Sequence, residues 1–432
     1  MNEFARLKKG PAWEFRVHRA MFASGWYVRR NIDLRERVQG APQVMAEIDM
    51  LGISFDAGLA ARRIIAECKD RRGSGQEADR VIWLLGLGHL LEVDALMLAK
   101  PRIAAATVRF ARSTGVALFE EASVNQIEAG LKGPRLAGSF DVDVTEDLIA
   151  PAVNRKTLSD NRLREAYDWI HNGSWTEDPV ARVRRLPGYF RLILQHANGA
   201  TRELLLIEGL LGLLACSLQV SGMLRRHSPN VARALGAEAL ASGAAPAIAL
   251  KEIAASADDF YRNAFEQASE EQTGKRLMLT APRLAEHIAN PPRWTDAFFS
   301  MSDTIGSRPE AAADVLRYAD LTLYERFAGR DPRPAQRAFI RSDHTWLAGT
   351  LALAAGFCIR VWALDEPFFT QLSGGADGGQ PHDVPQPADK PRTRANGDPG
   401  ARPARTDARE TAQPRQESLI DSSGFSDDPS GG

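Results

Sequence analysis

Two periods of apolar spacing run along this chain, and the change from one to the other divides it. From Trp13 to Gly25 the apolar residues Trp13, Val17, Ala20, Met21 and Phe22 recur at helical spacing, and Gly25 is placed to end the helix. GWYVRRNIDL then predicts a strand through Trp26, Val28 and Ile32, and GAP at 40–42 turns the chain. Val44 to Asp70 follows as two β-like runs closed by a Ser/Asp/Gly-containing turn, a hairpin. After a flexible turn at Gly73, Ser74 and Gly75, Gln76 to Leu85 carries Ala78, Val81, Ile82 and Leu85 on one helical face. Leu91 to Ala99 predicts a buried strand, Pro101 opens a helix to about Ser113, Gly115 ends it, and VALF at 116–119 gives another strand before a closing helix, Ser123 to Ala129. A strand, helix, strand order of this kind predicts a parallel pair at one side of a mixed sheet.

Beyond residue 130 the strand period disappears. Residues 131–144 mix Gly, Pro and polar residues and read as a linker, and residues 145–370 read as an all-helical domain. TEDLIAPAV, NRLREAYDWI and PVARVRRLPGYFRLILQHA lead to TRELLLIEGLLGLLACSLQVSGMLRRH, a helix apolar nearly all round, which belongs in the centre of a bundle. Further helices are expected at Ala245–Ala268, Ala281–Ala289, Arg293–Asp303, Glu310–Phe327 and Thr345–Leu364. No fixed period recurs, which argues against a solenoid. Residues 371–432 are dominated by Pro, Gly, Asp and Arg, with too few apolar residues to bury a core, and are expected to be a disordered tail.

The expected fold class is therefore an α/β N-terminal domain, residues 1–130, a mixed sheet flanked by helices, joined to an all-α domain and a tail. Fifty-four basic and fifty-five acidic residues give a formal charge of −1, so the chain is not a generally basic coat for nucleic acid. Contact with DNA would have to come from local clusters, and Arg29, Arg30, Arg35, Arg37, Arg62, Arg63, Arg71 and Arg72 flank the hairpin. Gln76, at the start of the following helix, is a further candidate for a phosphate. The three cysteines, Cys68, Cys216 and Cys358, lack metal-ligand spacing and suit a reducing compartment. The N-terminus has no apolar core of the kind a secretory signal needs, and Leu204–Val220, interrupted by Glu208, reads as a buried helix. A cytoplasmic protein without a membrane partner is the expectation.

The candidate chemistry lies in the hairpin. In IIAECKD, alternation puts Glu67 and Lys69 on one side of the strand, and the hairpin can bring Asp49 of the first run beside them. Two hard carboxylate donors with an ammonium suit metal-assisted phosphodiester cleavage: the acids can hold Mg²⁺ (or Mn²⁺), and the cation orients water and offsets developing charge. Asp49, Glu67 and Lys69 are the expected catalytic set. Glu47 shares the face of Asp49, while His18 and His89 have no partners at catalytic spacing and read as structural.

The succession of a first helix with Glu14, EIDMLGI, IIAECKD, a helix, LEVDALMLA and PRIAAATVRFARSTGVALFEEASVNQIE resembles the Mrr-like restriction endonuclease domain, a branch of the PD-(D/E)xK nuclease superfamily. The resemblance covers roughly residues 10–130, and the rest matches no family. It implies a restriction-endonuclease-like fold and a Mg²⁺-dependent DNA endonuclease, with a role in restriction or defence. Asp49 and Glu67 would hold the metal with the backbone carbonyl of Cys68, Glu14 would correspond to a first-helix acid that some of these nucleases add, and Lys69 would position the attacking water. Ile48-Asp49 stands where the family pattern has Pro-Asp, and Cys68 fills the middle of Glu-x-Lys. On this reading the partners are DNA and a protein met through the helical domain, and a dimer is compatible with it. The rival reading is a nuclease-fold DNA-binding or scaffold protein that does not cleave.

Overall fold

A computed structural model of the protein describes residues 9–38, 41–70, 77–131, 136–154, 156–242, 256–260 and 291–374. Helix α1 (Lys9–Ala23) precedes three long strands, β1 (Tyr27–Val38), β2 (Ala41–Phe55) and β3 (Ala61–Cys68). Then α2 (Glu77–Leu90), β4 (Ala95–Ala99), α3 (Ala105–Thr114), β5 (Ala117–Phe119) and α4 (Glu121–Gly130) complete an α/β layer. The strands lie in the order β1-β2-β3-β4-β5, antiparallel over the first three and parallel from β3 to β5. Each parallel step is bridged by a helix, α2 or α3, because parallel neighbours need a crossover. The mixed sheet and its helices agree with the expected class.

Alternation along β3 assigns the layers. Ile64, Ala66 and Cys68 join Trp13, Val17 and Met21 of α1 in one core. Ile65 looks the other way and joins Leu51, Ile53 and Leu87 in a core shared with the C-terminal helices. A β-carbon on Gly52 would lie 2.6 Å from Ile64 Cγ2 and 3.1 Å from Met21 Cε, so the bare glycine lets α1 close on the sheet. Gly115, at φ 75, ends α3 as expected. Helix α2 runs five residues past its expected end because Leu87 and Gly88 are still buried, and Leu91–Asp94, expected as the start of a strand, turn towards β4 instead.

Helices follow from residue 144: a π-helical turn (Val144–Ile149), α5 (Ala150–Ala152), α6 (Asn161–His171), α7 (Pro179–His196), α8 (Gly199–Arg225), α9 (Pro229–Ser242), α10 (Thr295–Ile305), α11 (Pro309–Phe327), α12 (Arg333–Phe339), α13 (His344–Arg360) and α14 (Pro367–Ser373). The most apolar stretch of α8 is 94% buried inside the protein, with α7, α10, α11 and α13 around it. Its length and composition would suit a membrane, but its apolar surface is already covered by protein. Of the expected helices Ala245–Ala268 and Ala281–Ala289, only residues 256–260 are described, and they are helical. The expected tail beyond Gly374 also lies outside the described residues.

The expected linker requires correction. Residues 132–135 are outside the described residues, but Ala137, Phe140, Asp141, Val142 and Val144 are each at most 1% exposed. Phe140 packs 4.9 Å from the Phe22 ring of α1 and 5.1 Å from the Phe339 ring of α12. The backbone N–H groups of Gly138 and Ser139 donate to Glu325 (2.8 Å) and Asp320 (3.0 Å) of α11, and Asp141 pairs with Arg330 at 2.6 Å. Ser139 and Asp141, polar residues that suggested exposure, are paired within the protein, and the sheet and the helices share one core and one compact unit.

Candidate active site

The antiparallel pairing of β2 with β3 runs as far as Met50 opposite Ala66, so Asp49 and Glu67 stand one step beyond it on a common face. Asp49 Oδ2 accepts the backbone N–H of Cys68 at 2.7 Å, which fixes the carboxylate against the end of β3. The N–H of Lys69 donates to Ala99 O of β4 at 3.0 Å, so the residue after the strand is held as well. Lys69 Nζ then lies 3.3 Å from Asp49 Oδ2 and 2.8 Å from Glu67 Oε1. The three expected catalytic residues therefore meet. The contact to Glu67 is one of charge, since Oε1 has no aligned hydrogen bond. Cys68 turns its thiol away, 4.0 Å from the Met50 sulfur in the α1 core, and only its backbone reaches the carboxylates.

Electrostatics tie further acids to this group. Burial, then the charge of Asp49, pushes the carboxyl of Glu67 above the usual range. The same two causes, in the same order, raise Glu14 of α1 and Glu47 of β2. Burial opposes the Lys69 ammonium, but its contacts with Glu67 and Asp49 outweigh that and hold its pKa up. Glu14, Glu47, Asp49 and Glu67 thus share a negative field in which Lys69 is a central cation.

Arg80 was not anticipated from the sequence. Its Nη1 lies 3.4 Å from Glu67 Oε1, reaching over from α2. The signal available was its place one turn after Glu77 in the first part of a helix following the Glu-x-Lys strand. Glu77 itself anchors that turn: its carboxylate pairs with Lys100 and accepts Thr107 Oγ1 at 2.8 Å and the Ala104 N–H at 3.1 Å.

Among the described residues of the expected arginine cluster, Arg30 acts electrostatically on Glu14, while Arg29, Arg62 and Arg63 are engaged or placed elsewhere. Arg29 is 5% exposed and forms a buried ion pair with Glu208 of α8, so it is closed to DNA. Arg30 lies 3.6 Å over the Phe15 ring with its Nη2 3.5 Å from Thr145 Oγ1, and burial lowers its pKa to about 10. Arg63 donates to the carbonyls of Leu91 and Glu92 at 2.9 Å each. Arg62 is exposed, but it and Arg63 stand at the start of β3, roughly 13–17 Å from Glu67 at the strand rise of about 3.3 Å per residue. Arg71, Arg72 and Gln76 lie outside the described residues.

No group of three His, Cys, Asp or Glu side chains close enough to hold a metal ion occurs among the described residues. The donors nevertheless suit a hard divalent cation in kind. Both partners of Asp49 fall on Oδ2, so Oδ1 remains as a donor, and the carboxyls of Glu14, Glu47 and Glu67 are raised by burial and then by the charge of Asp49, both of which such a cation would offset. No protein-family model, curated protein or solved structure matches the chain.

Proposed function

We propose that the protein is a metal-dependent endonuclease with a restriction-endonuclease-like N-terminal layer, acting on DNA in the cytoplasm. The observation that carries this reading is the Lys69 ammonium within 3.3 Å of Asp49 and 2.8 Å of Glu67 at the ends of adjacent strands. A bound Mg²⁺ or Mn²⁺ would supply Lewis-acid stabilisation of phosphorane charge and a more acidic water, with Asp49 and Glu67 as its carboxylate donors, the backbone of Cys68 as a further one, and Glu14 close enough to act electrostatically. The protein's own contribution is positional. Asp49 is locked by the Cys68 N–H, Glu67 is steadied by Arg80, and Lys69, 38% exposed, can turn its remaining N–H donors towards a phosphate. One observation favours the non-cleaving reading: Lys69 already neutralises both acids, as a purely structural ion pair would.

Nicking of supercoiled plasmid with Mg²⁺, with Mn²⁺ and with a chelator separates the two. Cleavage should require metal, and Asp49→Asn and Glu67→Gln should abolish it. Lys69→Met should leave metal binding in place while cleavage falls by roughly a hundredfold or more. Glu67→Gln cleaving at the wild-type rate would sink the assignment, and a wild-type protein that binds DNA without nicking it would favour the binding module.

A further inference from the structure

A pocket of about 530 Å³ opens at the other end of β2 and β3 from the carboxylates. Ile53, Leu59 and Met223 give it an apolar side, and Arg63, Arg182, Arg226 and Gln219 face it from the remainder. Its volume falls within the range of about 300–1,000 Å³ common for small-molecule sites. Arg182 is the unusual member. It is 2% exposed, yet its Nε and Nη1 have no hydrogen-bond partner; its Nη2 donates to the Glu177 carbonyl at 3.3 Å, and the buried Cys216 thiol, a neutral group, is its other polar neighbour. The guanidinium sits 5.2 Å from the Trp175 ring.

Among the described residues no acid forms an ion pair with it. Glu177 is taken by Arg185 and by Trp169 Nε1, and Asp178 Oδ1 accepts the N–H groups of Val180 and Ala181 at the start of α7. Glu92, the other acid of the wall, lends its backbone carbonyl to Arg63 at 2.9 Å. A buried charge without a paired counter-charge is costly, and an anion entering the pocket would relieve that cost. Gln219 Oε1, an acceptor in the lining of the same pocket, is a second buried atom without a partner.

We propose that this pocket binds a small organic anion, a phosphate monoester or carboxylate with an apolar or aromatic body. Arg182 holds the anionic head, Arg226 adds charge at the mouth, Gln219 accepts an N–H or O–H of the ligand, and the Ile53, Leu59 and Met223 side takes its body. The inference does not depend on the nuclease reading.

Calorimetric titration and thermal unfolding of the full chain test it with adenosine 5′-monophosphate, octanoate, inorganic phosphate and adenosine. At least one of the two organic anions should bind saturably and raise the unfolding midpoint, and which of them does so distinguishes phosphate from carboxylate. Arg182→Gln should weaken that binding by about tenfold or more, the scale of losing a charge-assisted contact. Arg226 is exposed, so Arg226→Ser should keep the fold and still weaken binding severalfold, whereas Arg162→Ser, exposed outside the pocket, should not. Failure of both organic anions to bind would overturn the proposal, as would wild-type affinity in Arg226→Ser and Arg182→Gln together. An equal response to inorganic phosphate and both organic anions would overturn the role of the apolar side.

Discussion

Arg29 and Lys69 are both cations beside carboxylates, and burial gives them different work. Lys69 is part exposed and can exchange partners, whereas Arg29 is sealed with Glu208 between β1 and α8. Tyr324 donates to Glu208, and the Arg29 Nη2 lies 2.9 Å from His171 Nδ1, so the pair is embedded in a polar network. Burial alone would raise the carboxyl of Glu208, but Arg29 overrides it and holds the group well below the usual range. Arg29→Met should therefore leave the buried Glu208 carboxylate without its guanidinium, held only by Tyr324 and His171, and cost about 3 kcal/mol in denaturant unfolding, with DNA affinity per folded molecule unchanged. Arg29→Met with Glu208→Leu should recover much of that loss, and a double-mutant cycle measures the coupling. Strictly additive losses would show that the two do not form a pair. A glutamate inside an apolar helix announced in the sequence that it needed a partner, but an arginine so far away along the chain could not be read as that partner. It looked like one more surface cation near an acidic site, which is why the reading of Arg29 failed while that of Asp49, Glu67 and Lys69, placed by a local hairpin, brought together residues that do meet.

Whole elements were legible where their pattern is local. The strand period in each of β1, β2 and β3 and the helical spacing of α1 lie within single elements, and all four appear, with α1 starting four residues before Trp13, β1 running four past Leu34 and β2 starting three before Val44. Docking between elements was not legible, and the β2–β3 turn shows why. Asp56 Oδ1 accepts the N–H groups of Gly58 and Ala60 at 2.8 and 2.9 Å, a turn that its sequence suggests. Leu59 in that turn has φ 60 and is 1% exposed, because the turn is pressed onto α8. A β-carbon at Gly222 of α8 would lie 2.3 Å from the Leu59 carbonyl oxygen, a contact with backbone that no side-chain rotation relieves. Gly222→Ala should cost about 1–3 kcal/mol in urea unfolding through overpacking. Gly212→Ala, in the same helix with nothing within 4 Å of the added carbon, should be neutral or gain up to about 1 kcal/mol from helix propensity. Equal effects at the two positions would mean that the hairpin does not seat on α8.

At the scale of the molecule, the segment that looked like a hinge acts as a wedge. Its composition suggested exposure because Gly, Pro and acids usually mark loops, but composition cannot report that Phe140 is enclosed by Phe22 and Phe339, or that Asp141 is held by Arg330. The consequence is testable by dividing the chain. A fragment of residues 1–130 would expose Phe22, Ile32, Ile48, Leu51 and Ile53, all buried in the core shared with α8 and its neighbours, and a fragment from residue 131 would expose the other half of that core, Phe140 included. Each alone is expected to be insoluble or to unfold without a cooperative transition, and the two expressed together should associate and recover the circular dichroism of the intact chain. Because the helices close the face of the sheet that carries Ile65 and Glu67, plasmid nicking should follow the same pattern, absent from residues 1–130 and restored on reassociation. Cooperative unfolding of residues 1–130 alone would show that the sheet is a self-sufficient domain, and the helices would then be free to serve as a separate targeting arm.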